Sequence, residues 1–478
     1  MNSTINHLKH LFIIVLVGLM GSCSIPGPGL KKAHTALPGS YKYQDLSGSR
    51  MEKISWRAYF DDPKLSGLID TALSNNQELN IVLQELKVRQ NEVLEKSGEY
   101  LPQVKLEAGA GVEKSGRYTR MGSLEHNLEI KEGEEFPEPL GDFQIGPVAS
   151  WEVDIWRKLR NAKDAAQLRY LAANQGKNLL ITNLIAEIAS EYYELQALDT
   201  LLEIIKNNLS IQEEALRKVK LQKLYARTTQ LAVNRFQAQL LKTKNLQYGV
   251  KQQIVETRNR LNFLVGRYSG DIGRNKEDFL SIQLDSLETG IPSDLLEYRP
   301  DIRQAAYQLQ ASKLDVRVAR AEFYPSLDIT AGIGFEAFKP SLLFNPESLL
   351  YNAAGEIMAP LINKKAIRAR YNQASALQVQ AVFEYERAVL NAYTEVLNKL
   401  NKLDNYSASF KTKKKEVAIL NESFAIANTL FKYAEADYVE VLLTQEEALD
   451  AKMELVETKL HQLQAKINLY RALGGGWQ

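Results

Sequence analysis

From Ser326 to Ala337 the chain alternates. Leu327, Ile329, Ala331, Ile333, Phe335 and Ala337 hold one parity, and Ser326, Asp328, Thr330, Gly332, Gly334 and Glu336 hold the other. Successive side chains of a strand point to opposite faces, so the run predicts a strand with one dry side and one wet side. An earlier run sets Val104, Leu106, Ala108, Ala110 and Val112 on the apolar parity in the same way. Each is followed by another: Phe143, Ile145, Ala149, Trp151 and Val153 against Asp142, Gln144, Gly146, Ser150 and Glu152, and more weakly Tyr351, Ala353, Ile357 and Ala359. Two hairpins and four strands are expected.

Between and after the hairpins the apolar period changes from two to seven. Ile188, Leu195, Leu202, Leu209 and Leu216 recur at that step, as do Val382, Val389, Val396, Leu403, Phe410, Val417, Phe424 and Phe431. The returning segment carries Leu442, Leu449, Val456, Leu463 and Tyr470. A sustained seven-residue period is coiled-coil packing rather than the broader stripe of a globular helix. No proline falls between Pro147 and Pro292, and neither glycine nor proline between Pro360 and Gly474, so nothing punctuates these segments. A single helix from Trp156 to about Tyr225 reaches on the order of 100 Å at ~1.5 Å per residue.

The two hairpins belong to two copies of one unit. SGEYLPQVKLEAGAGVE from Ser97 aligns with RAEFYPSLDITAGIGFE from Arg320, so that Pro102 and Pro325 stand 223 positions apart. Farther along the offset is 208: Arg160 with Arg368, Ala226 with Ala434, Gln237 with Gln445, Leu261 with Leu469 and Gly266 with Gly474. The difference of 15 reflects a longer loop in the first hairpin, around Ser115 to Pro139, polar and rich in Gly, Pro and Glu as an exposed loop should be. The resulting division is a first repeat over 61–266 with its hairpin at about 102–154, a linker over 267–297, a second repeat over 298–474 with its hairpin at about 325–361, and a tail over 475–478.

At the N-terminus Lys9 and His10 precede the apolar run Leu11 to Met20, too short to span a bilayer and of signal-peptide proportions, so 1–22 reads as a signal for export. Met20-Gly21-Ser22 leads into Cys23, the sole cysteine, and resembles a lipobox. Cys23 is then the lipid-bearing first residue of a mature chain whose anchored segment is 23–60. One cysteine excludes an intrachain disulfide. Hydrophobic content of 45% with 24% charged residues excludes disorder and a polytopic helical membrane protein. A net charge of +1 gives no reason to expect a nucleic acid partner.

Strands of about ten residues match tilted bilayer-crossing strands, yet four cannot close a barrel, and an open sheet edge cannot face hydrocarbon with its backbone groups unpaired. Several chains must therefore pool their hairpins. Three chains give 12 strands, an even number within the range of outer-membrane barrels, with lipid outside and water within. A soluble sandwich alternates equally well. No further β-sequence is present to supply its second sheet.

WRAYFDDPKLSGLIDTALSNNQEL at 56–79, SWEVDIWRKLRNA at 150–162, LLEYRPDIRQA at 295–305, the Tyr-Pro strand entry and the closing LGGGW resemble the TolC-like outer-membrane efflux protein family. The closer likeness is to its lipoprotein branch of OprM-like channels, and it covers Trp56 to Trp477. The resemblance implies a mainly α fold with membrane β: a homotrimer forming a 12-stranded β-barrel on a periplasmic α-helical tunnel. It implies an exit duct in the outer membrane of a Gram-negative bacterium, partnered by a periplasmic adaptor and an inner-membrane transporter. Leu327, Ile329, Ile333, Phe335, Val104 and Leu106 then face outer-membrane lipid. Ala226, Arg227, Thr228, Ala434 and Glu435 fall in the turns that meet the adaptor, where family members usually have glycine at the positions of Ala226 and Ala434. Glu440 occupies a position where the family places pore-lining acids, with Asp437 a second candidate gate residue. The plainer reading of Glu440 is a solvated helix charge.

GIGFEA, with Gly332 and Gly334, fits a dinucleotide-binding fingerprint on paper, but Phe338-Lys339-Pro340 starts no helix. His7, His10, His34, His126 and His461 lack metal-ligand spacing, and no Ser/His/Asp set or carboxylate pair stands out, so no metal, cofactor or enzymatic activity is expected. A lipid-anchored periplasmic adaptor is the rival reading. It would carry one helical hairpin with lipoyl-like and barrel domains, whereas this chain has two equivalent hairpins. Cargo stays open among drugs, metal ions and secreted protein.

Overall fold

The structure, a computed structural model, describes residues 27, 29–34, 37–39, 41, 55–274, 278–284, 291–433 and 435–477; the signal run, Cys23 and Ala434 lie outside them. In chain order the elements are α1 (Trp56–Phe60), α2 (Pro63–Asn75), α3 (Gln77–Glu99), β1 (Gln103–Glu113), α4 (Arg120–Asn127), β2 (Glu129–Lys131), β3 (Glu134–Glu135), β4 (Leu140–Glu152), α5 (Lys158–Leu224), α6 (Gln230–Leu264), α7 (Asp294–Tyr298), α8 (Pro300–Ala321), β5 (Ser326–Ala337), β6 (Leu349–Met358), α9 (Lys365–Lys432) and α10 (Tyr438–Ala472). Both hairpins form where alternation places them, and α5 and α9 run 67 and 68 residues without a break. Among the described residues no helix is long and apolar enough to cross a membrane.

Two compact units cut across the repeats. One comprises Met1–Lys32, Val88–Tyr170 and Tyr307–Val382; the other comprises Ala33–Lys87, Leu171–Ala306 and Phe383–Gln478. The first unit holds a four-stranded antiparallel sheet in the order β1-β4-β5-β6. Its register aligns Val104, Ala149, Ala331 and Ala353 in one row and Gln103, Ser150, Thr330 and Ala354 in the next, so the two faces predicted from the sequence stay separate across all four strands. The loop of the first hairpin is more ordered than its composition suggests. Thr119 caps α4 by accepting from Gly122 N at 3.2 Å, β2 pairs with β3, and Glu138 binds both Lys114 and Arg117. Local caps and ion pairs, invisible to an apolar pattern, organise it.

Below the sheet, β4 passes into α5 through an Asp154 carboxylate that accepts from the backbone N–H of Leu159 and Arg160, both at 3.0 Å, and from Arg160 Nε. This explains the spacing within the 150–162 segment, because the acid must lie just before the helix start to reach its unpaired amides. Trp156 stacks on Tyr324 at 4.6 Å and donates to the Pro325 carbonyl at 2.7 Å, tying the start of the first long helix to the entry of β5.

The second unit holds the main core. Ile185, Ile188, Tyr192, Leu195 and Ile205 of α5 are fully buried, and with Leu261, Val456, Leu463 and Tyr470 they enclose α1 and α2. Asp62 caps α2 ahead of Pro63 and also accepts from the Tyr192 hydroxyl at 3.0 Å, which fixes the small helices on the long one. The linker segment Phe279–Ser281 packs into the same core, and Lys459 and Lys466 donate to the carbonyls of Ile282 and Leu284.

The repeat recurs at the level of single hydrogen bonds. Helix α6 ends in a left-handed Gly266 (φ 78°) with Arg267 N donating to Asn262 O, and α10 ends in a left-handed Gly474 (φ 89°) with Gly475 N donating to Tyr470 O. These are Schellman ends, which satisfy carbonyls the helix leaves open. A Cβ at Gly266 would lie 2.5 Å from Asn75 O, and one at Gly474 would lie 2.8 Å from Tyr298 O. Asn76 then donates to Leu264 O at 2.9 Å, while at the equivalent place in the second copy Arg299 donates to Ala472 O at 2.6 Å. Arg299 is buried and also grips Asp301 through two bonds and Glu395 through one. Arg471 binds the other Glu395 oxygen at 2.7 Å. Burial works against the guanidinium charge, but Asp301 and Glu395 outweigh it and leave the charged form favoured.

The α5–α6 turn is built the same way with the wrong residue for comfort. Ala226 is left-handed (φ 57°), Ala226 N donates to Lys223 O and Arg227 N to Gln222 O. The bond recurs 208 residues later, from Glu435 N to Leu430 O. A side chain in this region costs about 1–2 kcal/mol, the reason glycine is the common residue at such a helix end.

Two outcomes follow for the detergent-solubilised protein. Gly474→Ala should lower stability by at least about 2 kcal/mol and Ala226→Gly should raise it by up to about 1 kcal/mol, read as opposite shifts of the thermal midpoint by circular dichroism. Burial, then Glu194, pushes the Glu191 carboxyl up to about 7 against the pull of Arg260. Its folded pKa lies above the unfolded value, so it contributes stability when protonated and this contribution is lost as pH rises through about 7. Glu191→Gln should therefore raise the midpoint at pH 8 and leave it little changed at pH 4.

Candidate functional site

The apolar face of the sheet is the first functional surface. Val104, Leu106, Ile329 and Ile333 are exposed on it, and Leu327 and Phe335 are half-buried. No charged residue stands on that parity in any of the four strands. Strands β1 and β6 form the two edges, each paired on one side only. Gly332 and Gly334 sit inside β5, so the dinucleotide-like GIGFEA is strand and not a phosphate loop.

The opposite face is acidic. Glu107, Glu113, Asp142, Glu152, Asp328, Glu336 and Glu356 share it with one base, Lys105, a net of −6 (1 − 7) per chain. Glu152, Asp328 and Glu356 stand directly opposite one another across β4, β5 and β6. Like charges at opposed positions destabilise a sheet, so this rung has a cost that folding alone does not explain. At its foot lies a recess of about 710 Å³ lined in part by Lys96, Glu99, Glu152, Lys158, Glu322 and Arg370. Those charges pair off as Lys96 with Glu99, Lys158 with Glu152 and Arg370 with Glu322.

The helix turns form the second surface. Ala226, Arg227 and Glu435 are exposed and Thr228 is half-buried, beside the exposed apolar side chains of Leu224, Tyr225 and Tyr433. Asp437 is the N-cap of α10, its carboxylate accepting from Tyr438 N at 2.6 Å, and Glu440 lies in the first helical turn. Both acids are exposed and both favour the positive end of the helix, so each has a local structural role before any role in a pore. Equivalent placing in the first copy gives Thr229 as the N-cap of α6, accepting from Ala232 N at 3.2 Å. Among the described residues no group of three or more His, Cys, Asp and Glu side chains could hold a metal ion.

The third surface is absent from the reading of the sequence. Ile419, Ile426 and Tyr433 form an exposed line at seven-residue steps along and just past α9, and Leu241, Tyr248 and Val255 form another along α6. The first line is offset by two from the partly buried Val417, Phe424 and Phe431. A search for a second heptad phase beside the first would have found it.

These features agree with what the chain is similar to. The family model for the outer membrane efflux protein matches residues 68–267 and 291–475, one block for each repeat. The pyoverdine export outer membrane protein OpmQ of Pseudomonas aeruginosa is 28% identical over 475 residues, covering 98% of each chain. The probable outer membrane lipoprotein SilC of Salmonella typhimurium is 25% identical over 474 residues, covering 98% of this chain and 99% of its own. In fold, the MtrE outer membrane channel of Neisseria gonorrhoeae in its open state superposes with a TM-score of 0.84 at 21% identity, over 95% of this chain and 98% of that one. The chain belongs to the outer membrane efflux protein family and is a channel-forming component of the outer membrane.

In a channel lined by the acidic face, cations should pass in preference to anions. The double variant Asp328→Asn, Glu356→Gln should lower the potassium-to-chloride permeability ratio by a few-fold, read from reversal potentials across a salt gradient.

Proposed function

We propose that three copies of this chain form the outer-membrane exit duct of a tripartite efflux pump, a passive conduit with no catalytic step of its own. The observation that carries this reading is the pair of open edges on β1 and β6 beneath a wholly uncharged face. Lipid cannot satisfy edge amides and carbonyls, and a neighbour's edge can. The exposed heptad lines on α6 and α9 support the same reading, since helices of adjacent copies could bury them as the tunnel wall. Twelve strands enclose a wet lumen bearing the acidic face, suited to small cationic and neutral toxic molecules.

The periplasmic adaptor meets the turns at Ala226, Arg227, Thr228, Ala434 and Glu435, whose neighbours Leu224, Tyr225 and Tyr433 offer the apolar area that a protein contact needs. Glu440, in the first turn of α10, lines the closed end with Asp437 at its cap, and the inner-membrane transporter supplies the drive. Cys23 bears the acyl anchor. Nearby in the chain, Tyr371 OH donates to Gly27 O at 2.6 Å, and Tyr371 packs with Phe323.

Planar bilayers test the proposal. The purified protein should run as a trimer in detergent and give stepwise conductance, and Ile419→Asp with Ile426→Asp should convert it to monomer and abolish the steps. A wild-type protein that stays monomeric and water-soluble once its acyl chains are removed would sink the duct.

A further inference from the structure

The long helices bury polar side chains at more than one level, Gln196, Thr257 and Lys459 within the main core among them, and one such level falls between two apolar clusters. Near the turns, Leu216 and Val219 of α5, Phe236 and Leu240 of α6, and Tyr438 and Leu442 of α10 belong to one hydrophobic cluster. Farther from the turns, Ile205 and Leu209, Leu246 and Val250, and Met453 and Val456 of the same three helices belong to the main core. Between the two clusters each helix places a polar residue at a buried position: Gln212 (2% exposed), Thr243 (0%) and Gln445 (3%). The steps agree on all three. Gln212 stands one turn from Leu216, Thr243 one turn from Leu240 and Gln445 one turn from Leu442, while Leu449, the next buried leucine of α10, joins neither cluster.

Thr243 is satisfied by the carbonyl of Gln239 at 3.1 Å, but the amides are not. Neither Oε1 nor Nε2 of Gln212 has a hydrogen-bond partner, nor has Nε2 of Gln445, nor Oδ1 of Asn208, one turn from Gln212. Buried amides without partners penalise the packed arrangement, and the penalty falls if the helices part enough to admit water. Apolar layers above and below behave in the opposite way, since parting them exposes area. A polar residue inside a coiled-coil seam likewise lowers stability while holding register. Outside the layer the Lys242–Glu446 ion pair ties α6 to α10, and such a pair tolerates solvent and small displacements.

We infer that the Gln212–Thr243–Gln445 layer is the flexure of the duct, the level at which the turn-side cluster of α5, α6 and α10 swings as one body against the main core. This rests on the proposed function for its meaning, because the swinging end is the one read as the periplasmic gate. The flexure itself is a property of the helices and can be measured apart from conduction.

Hydrogen exchange on the full-length protein in detergent tests it. Amides of α5 and α10 on the turn side of Gln212 and Gln445 should exchange about tenfold faster than those on the core side, with the step falling at the layer. Gln212→Leu with Gln445→Leu should fuse the clusters, erase the step and raise the thermal midpoint; Gln212→Met alone, a smaller change, should reduce the step. Uniform exchange, a step elsewhere, or a step that survives in a folded variant overturns the assignment. Conductance of the same samples separates the readings: a protein that flexes here without conducting keeps the flexure and loses the duct.

Discussion

The structure depends on what a sheet edge requires. β1 and β6 each leave one row of backbone amides and carbonyls unpaired, and the face between them carries no charge. In water such an edge is satisfied by solvent; in hydrocarbon only another strand will do. One chain therefore holds a fraction of a barrel, and most of its other features are arrangements for bringing the remaining fractions into place. The long helices serve this by carrying apolar lines on two sides, one spent within the chain and one left outward.

Duplication is the economical route to such a chain. A hairpin and its helices, made twice, double the strands per copy without a new folding problem. The copies keep the same helix ends, the same left-handed residue after each return helix and the same bond back to its last carbonyl. Each compact unit takes segments from both repeats, so the repeats are units of sequence and the compact units are units of packing.

Much of this is legible in the chain itself. Period two located all four strands, and register then kept the faces of Leu327 and Val104 continuous across the sheet, because a one-residue slip would expose charge to the apolar side. The absence of breakers located α5 to within two residues at each end, and period seven placed α9 through Val382 to Phe431 without bounding it. The ordering of the 115–139 loop was not legible, since it rests on the Thr119 cap and the Glu138 ion pairs, which leave no periodic trace. Asp437 and Glu440 show the same limit from the other side. A cap and a pore acid ask for the same residue at the same place, so sequence position alone does not divide the roles. The second heptad line was present in the letters and hidden only because the first phase already accounted for the helix.

One difference between the copies has a consequence of its own. The last carbonyl of the first return helix is held by a neutral amide, Asn76, and that of the second by Arg299, a cation bound to Asp301 and Glu395. Dissolved salt weakens attraction between charges and leaves the neutral amide untouched. The two halves, matched in shape, are thus fastened by different chemistry and let go under different solvents, which gives the experimenter a handle on one half at a time.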